Sequence, residues 1–198
     1  MSMTIFFSMF TFAFVLSIFP GPVNVLILAS SLNYGFKKTF SFISGATIGF
    51  TILLIIVSFG FKEFIIGNPF LASMIEIIGA LFIMYMGYKI ISSNSIDLKA
   101  DKPSKYLRFH EGFLLQWLNP KAWFACIAGV TLYSNSQENL YFFIILYFIV
   151  CYACLSFWAI VGDKISIFFN SPLKLKVFNI LMGGILIISA LYIIISKI

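Results

Sequence analysis

The sequence predicts an all-α membrane protein with six transmembrane helices, arranged as two inverted three-helix repeats. Composition is the first of three observations behind this prediction. The 198 residues are 61% hydrophobic and only 10% charged, whereas a soluble domain has about 45–50% apolar and about 25% charged residues. So few charges cannot cover so much apolar surface in water. We expect one integral membrane unit over residues 1–198, without a separate soluble domain.

Six long apolar runs are the second observation, because a membrane helix needs about 20 apolar residues. The first run lacks a basic leader and exceeds the apolar core of a signal peptide, so we expect it to be retained. Residues 93–111 form the one long connection, a predicted cytoplasmic linker between a half at about 1–92 and a half at about 112–198. The runs occupy approximately residues 4–32, 36–60, 69–92, 112–133, 139–162 and 175–196.

Two proline motifs are the third observation. Pro20-Gly21-Pro22 interrupts the first run and Asn119-Pro120-Lys121 interrupts the fourth, with Pro120 lying 100 positions after Pro20. Proline removes a backbone donor and clashes with the preceding turn, so helices 1 and 4 are predicted to be broken there. Broken backbone survives at membrane depth only inside protein or beside a water-filled cavity. Matching breaks in two halves are a sequence pointer to a transporter's substrate site.

Charge placement predicts the orientation, because Lys and Arg collect in cytoplasmic loops. With six spans, the opposite side holds only Lys62 and Lys197, and Lys121 lies within a span. Both termini are therefore predicted to be non-cytoplasmic. Three spans per half also turn the second half upside down, which makes the halves an inverted repeat. The cytoplasmic side collects ten basic residues: Lys37, Lys38, Lys89, Lys99, Lys102, Lys105, Arg108, Lys164, Lys174 and Lys176.

The first motif predicts an anion site. Pro22 suits the first position of a new half-helix, whose free amides carry about half a positive charge and attract anions such as a carboxylate. Gly21 tolerates unusual dihedral angles and close approach, and Asn24 offers both a donor and an acceptor. The alternative is that Pro20 and Pro22 only kink a helix for packing.

The second motif adds a charge within the apolar segment. A lysine at a helix centre costs about 2.5–3.5 kcal/mol on insertion scales, so the Lys121 ammonium should face a cavity or a partner. It can bind a substrate carboxylate or titrate during proton coupling. The alternative is that Lys121 extends to the membrane interface. Asn119 would help to orient the substrate, and Pro120 would begin the second half-helix.

The remaining candidate residues indicate no enzyme, no cofactor and no metal site. Cys151 and Cys154 have the spacing of a redox or metal pair, but in an apolar helix we interpret them as small packing residues. His110 has no metal-ligand company. We find no phosphate-binding glycine loop and no Ser-His-Asp set, and topology explains the basic balance better than nucleic acid does. The small-xxx-small spacing of Gly45 and Gly49 predicts close helix packing.

These motifs resemble the LysE/RhtB family of amino-acid exporters. The resemblance implies a bacterial inner-membrane, multi-pass protein of about six helices, driven by the proton-motive force. Val23 departs from the Asn or Asp that often follows Pro-Gly-Pro in the family, and Thr39 stands where a glycine is usual, so the substrate class is left open. The residues that carry the resemblance are Pro20, Gly21, Pro22, Gly35, Lys37, Lys38, Gly45, Gly49, Gly79, Gly87, Gly112, Asn119, Pro120 and Lys121.

The expected function is export of an amino acid or related small metabolite by alternating access. The expected partners are this solute, the lipid bilayer and a coupling proton, and the sequence is compatible with a homo-oligomer. One alternative is an ion or metal exporter of the same superfamily, although the spans lack the clustered acidic and histidine side chains that cations need. Another is a non-transporting membrane scaffold. The predicted substrate-binding residues are Pro20, Gly21, Pro22, Asn24, Asn119, Pro120 and Lys121.

Overall fold

The described part of the chain is entirely helical. The computed structural model describes residues 2–61, 68–92, 106–134, 136–169 and 171–195, and no strand occurs among them. The all-α class is therefore confirmed for this part of the chain. The helices are α1 (Met3–Ile18), α2 (Pro22–Tyr34), α3 (Phe36–Ile56), α4 (Pro69–Ile91), α5 (Phe109–Trp117), α6 (Pro120–Tyr133), α7 (Gln137–Ile165) and α8 (Pro172–Ile195).

Four described helical segments, at 36–60, 73–91, 137–168 and 172–195, are long and apolar enough to cross a membrane. A fifth crossing is counted if α1 and α2, bent by 58°, form one span. The chain is thus a multi-pass membrane protein. The fourth predicted span, 112–133, is divided between the short helices α5 and α6, so six crossings stay a prediction. The predicted linker lies outside the described residues over 93–105, as do Lys62 and Lys197.

Glycines let the long helices pack backbone against backbone. A Cβ on Gly45 of α3 would lie 1.9 Å from the Phe109 carbonyl oxygen of α5. In return, a Cβ on Gly112 would lie 2.3 Å from the Phe42 carbonyl oxygen. Gly87 of α4 and Gly183 of α8 face each other in the same way. These positions exclude any larger side chain, so the predicted packing role of the glycines is confirmed.

Gly35 makes the turn between α2 and α3 possible. Its φ of +82° lies in the left-handed region, which glycine adopts without steric cost. One residue therefore separates the two helices, and α2 returns directly against α3. Because α1 and α2 also pack along α7, and α5 packs along α3, both helix breaks lie between α3 and α7.

Candidate functional site

The first break is the gap between α1 and α2. Helix α1 ends at Ile18 and α2 begins at Pro22. Prolines at 20 and 22 have no amide hydrogen, and the 58° bend removes further donors from the end of α1. The carbonyls of Ser17, Ile18 and Phe19 must therefore find partners outside their own helix.

Asn24 satisfies much of this demand from one turn into α2. Its buried Nδ2 donates to the Ser17 oxygen at 2.9 Å and lies 3.4 Å from the Phe19 oxygen and 3.5 Å from the Ile18 oxygen. A single amide thus holds the two half-helices at their bend. Its Nδ2 acts here as a donor to backbone, and the predicted role of Asn24 in orienting a substrate stays a prediction.

Two side chains from distant parts of the chain complete the first break. Trp158 of α7 donates from Nε1 to the Ile18 oxygen at 3.1 Å. Lys121 of α6 donates from Nζ to the Phe19 oxygen at 2.8 Å, and its ammonium lies 5.7 Å from the centre of the Phe19 ring. A cation is favoured at this place because the C-terminal end of a helix carries partial negative charge.

The second break is satisfied locally. Asn119 caps α6, with its Oδ1 accepting from the Lys121 backbone amide at 3.1 Å. The carbonyl of Trp117, the last residue of α5, accepts from Trp123 Nε1 at 2.7 Å. Gly79 of α4 lies so close that a Cβ there would come within 1.7 Å of the Leu118 oxygen. The backbone groups named here therefore have partners nearby in the chain or a tight wall behind them, while the buried Trp117 Nε1 makes no hydrogen bond with a described residue.

A small cavity lies where the two breaks meet. Its volume is about 40 Å³, room for a few water molecules and no more. The first residues of α2, Val23 and Asn24, line it, and α2 has no side-chain cap at its N-terminus. An amino acid would therefore need the cavity to widen. The polar lining residues are Ser17, Asn24, Gln116, Asn119, Lys121 and Tyr147.

The structure brings most of the predicted site residues together. Five of the seven line this cavity, while Pro20, between α1 and α2, and Pro120, the first residue of α6, are not in its lining. That these residues bind substrate stays a prediction. One expectation is wrong, because Gly21 has φ −150° and ψ −178°, an extended backbone open to any residue. Its use is space, since a Cβ there would touch Lys121 Cδ and Nζ at 3.4 Å.

Several lining residues were not singled out from the sequence. Ser17 and Gln116 lie three residues before Pro20 and Asn119, respectively, so each faces its break from one helical turn away. That spacing was the signal that could have found them. The Ser17 hydroxyl makes no hydrogen bond of normal geometry with a described residue. Tyr147 and Cys151 reach the cavity from α7; Tyr147 looks like a core residue in the sequence, and Cys151 was interpreted as a packing residue.

Two buried polar pairs lie away from the cavity. The side-chain amides of Asn33 and Asn179 bond to each other in both directions, at 2.7 and 3.0 Å. Lys89 forms an ion pair with the buried Glu111, whose other oxygen accepts from the Arg108 amide at 2.7 Å. The sequence places Lys89 at the cytoplasmic end of the third span but gives no signal for its role in joining α4 to α5.

Comparison with known proteins places this arrangement in a family. The family model described as LysE type translocator matches residues 14–197, which include both breaks. The chain belongs to this family. The resemblance inferred from the two proline motifs is thereby confirmed, and the family's name is that of translocators rather than enzymes.

Relatives of this LysE-type chain are efflux proteins by name. A cysteine/O-acetylserine efflux protein of Salmonella paratyphi A (strain ATCC 9150 / SARB42) is 26% identical over 125 residues, covering 63% of this chain and 62% of its own length. One of Escherichia coli O1:K1 / APEC is 26% identical over 136 residues, covering 68% and 67%. The match thus spans less than two thirds of the Salmonella protein. No solved structure matches this chain.

Proposed function

We propose that this protein is a secondary transporter that exports a small amino acid or a derivative across the bacterial inner membrane. One observation carries the proposal. The Lys121 ammonium and the N-terminus of α2, which has no side-chain cap, meet at one cavity, although they come from opposite halves of the chain. A lysine within the apolar segment is costly unless it has a partner. Such a pair of positive groups suits a carboxylate.

The proposed binding mode follows from the groups at the cavity. The substrate carboxylate would accept from the first amides of α2, at Val23 and Asn24, while Lys121 leaves the Phe19 carbonyl to bind the carboxylate. Gln116 and the Ser17 hydroxyl would then contact the polar side chain of the substrate. Because efflux of cysteine and O-acetylserine is named for the relatives, we propose a substrate of that size and polarity.

The proposed architecture has six spans in two inverted repeats. Counting α1 with α2 and α5 with α6 as one span each gives the sixth. Span 1 then packs on span 5, span 4 packs on span 2, and span 3 packs on span 6. A twofold axis in the membrane plane would exchange the first two pairs and keep the third. Gly21 and Lys121, 100 positions apart, touch each other near this axis.

The proposed orientation places both termini outside the cytoplasm. Ten basic residues against two support it, by the positive-inside rule. Coupling to the proton gradient is proposed with it, because moving one charge across 100 mV supplies about 2.3 kcal/mol. This orientation makes the end of the molecule at which α1 begins the outer end.

The test of the proposed function is export from proteoliposomes loaded with a panel of labelled amino acids, including cysteine and O-acetyl-L-serine. We expect the wild type to release at least one of them and Lys121→Met to abolish that release. Lys164→Met is the matched control, since Lys164 is an exposed lysine at the end of α7 and should leave export unchanged. If folded wild type releases no amino acid, the amino-acid assignment is wrong and divalent metal ions become the next panel.

A further inference from the structure

A second pocket lies at the end of the molecule where α1 begins. Its volume is about 240 Å³, six times that of the central cavity, and it is an open pocket lined by the start of α1, the end of α6 and the start of α7. The Ser8 and Tyr133 hydroxyls share a hydrogen bond of 2.9 Å at its wall. Thr4 and Asn139 add a hydroxyl and an amide. The described residues that line the pocket therefore offer neutral donors and acceptors, and none of them is charged.

A column of aromatic rings joins this pocket to the central cavity. Tyr133, which lines the second pocket, lies 4.7 Å from the Phe143 ring, centre to centre. Phe143 lies 5.5 Å from Tyr147, and Tyr147 lies 4.5 Å from Phe50. Tyr147 and Phe50 both line the central cavity. The column thus starts at the wall of one cavity and ends at the wall of the other.

Phe12 closes the column from the side of α1. Its ring lies 5.8 Å from Tyr133, 6.0 Å from Phe143 and 6.4 Å from Tyr147. The rings pack directly against Gly129 of α6, because a Cβ there would come within 2.6 Å of Phe143 and 3.3 Å of Phe12. Rings from α1, α6 and α7 therefore meet at one place, and a shift of any of these helices would part them.

We propose that the second pocket is an outer subsite for the transported solute, separated from the central cavity by this aromatic column. This inference rests on the proposed function. The ligand class is a small zwitterion with a polar side chain, the same class as at the central site. Neutral hydroxyl and amide groups hold a zwitterion more weakly than Lys121 and the α2 amides do. A weaker outer subsite that follows the stronger central site would favour release of the solute. The aromatic column separates the two sites in this structure.

Cys151 provides a native reporter for the barrier, because it lines the central cavity beyond the column. In a Cys126→Ala, Cys154→Ala background, Cys151 is the one remaining thiol. Its reaction with a membrane-impermeant methanethiosulfonate reagent is measured from each face of the membrane. Ser8→Cys, in the same background with Cys151→Ala, identifies the face that opens to the second pocket.

Phe143→Leu should thin the column and speed the labelling of Cys151 at least tenfold from the face at which Ser8→Cys reacts. Phe42→Leu is the matched control, because Phe42 and Phe143 are both fully buried but Phe42 lies outside the column. Phe12→Leu is the second variant if Phe143→Leu does not fold. Equal rates of Cys151 labelling in the wild type and in the column variants would contradict the proposal that the column is a barrier. A Ser8→Cys thiol that reacts from neither face overturns the open pocket.

Solute protection tests the subsite itself. O-acetyl-L-serine, which has no thiol, should slow the labelling of Ser8→Cys in a saturable way. No protection by this solute, in a protein that exports it, would overturn the subsite while leaving the proposed function intact. Conversely, faster Cys151 labelling in Phe143→Leu without export of any amino acid would support the path and reject the amino-acid assignment. The two failures are therefore distinguishable.

Discussion

The two helix breaks solve the same problem in different ways. At the second break, Asn119 caps the next helix and Trp123 bonds the last carbonyl of the preceding one, so the partners lie within six residues. At the first break, the carbonyls reach partners as far away as Trp158 and Lys121. The N-terminus of α2 has no side-chain cap, whereas that of α6 has one.

This difference suggests that the two breaks have different roles at the proposed site. A helix end whose backbone groups bond to residues nearby in the sequence should stay in place. A helix end whose carbonyl accepts from a side chain of a distant helix can exchange that donor for a ligand. The second break supplies a lysine on a rigid helix start. The first break supplies a helix N-terminus without a side-chain cap and a carbonyl that accepts from the lysine. The proposed exchange of Lys121 from Phe19 to a carboxylate follows from this contrast.

Replacing the glycine beside each break with alanine should give the largest difference in stability, with the greater loss at the second break. Gly79→Ala puts a methyl group within 1.7 Å of the Leu118 backbone oxygen and should cost about 3 kcal/mol of stability through overpacking. Gly21→Ala meets only Lys121, at an ordinary 3.4 Å, and should keep wild-type stability but slow export. Thermal unfolding in detergent and proteoliposome export measure the two effects. A Gly79→Ala protein as stable as wild type would contradict the tight wall.

Replacing the asparagine at each break with serine should give the second-largest difference in stability between the two breaks. Asn24 acts as a donor, and Asn24→Ser is too short to reach the Ser17 and Phe19 carbonyls, so it should lose about 2 kcal/mol. Asn119 acts as an N-cap acceptor, and serine caps a helix about as well, so Asn119→Ser should stay within about 0.5 kcal/mol of wild type. Unfolding of both variants in one detergent is the measurement. Equal losses at the two positions would argue against different roles.

Replacing the tryptophan that bonds a carbonyl at each break should have the smallest effect on stability. Trp158→Phe and Trp123→Phe each remove one hydrogen bond to a carbonyl at a break and should each cost about 1 kcal/mol. Export should fall only for Trp158→Phe, because Ile18 belongs to the break that we propose to move. Initial export rates, corrected for the amount of folded protein, decide this. Loss of export in Trp123→Phe alone would reverse the assignment of the moving and fixed breaks.

Much of the fold could be predicted because lipid imposes simple rules on sequence. Long apolar runs gave helices at nearly the observed places, and the prolines at 20, 22 and 120 lie where helices end or begin. The lysine in the fourth run pointed to the cavity because its burial is costly without a partner. Such signals are local or depend on composition, so a single chain reveals them.

The remaining features depend on which helices meet, and no local pattern encodes that. The donor bonds of Asn24 had no local signal, because they go to carbonyls that only the bent geometry presents to it. Lys89 was counted only as a cytoplasmic charge at the end of the third span, yet it pairs with Glu111, 22 positions away. Tyr147 and Cys151 line the cavity from a helix whose sequence is apolar almost throughout. Each of these contacts follows from tertiary packing.

The measurement that tests the central claim most directly is calorimetric binding of O-acetyl-L-serine and of its carboxyl methyl ester to purified protein. If Lys121 and the α2 amides hold a carboxylate, the wild type should bind the acid at least about tenfold more tightly than the ester, about 1.4 kcal/mol. Lys121→Met should bind the two with nearly equal, weak affinity. Equal binding of acid and ester by the wild type, or an undiminished preference for the acid in Lys121→Met, would contradict a carboxylate site between the two breaks.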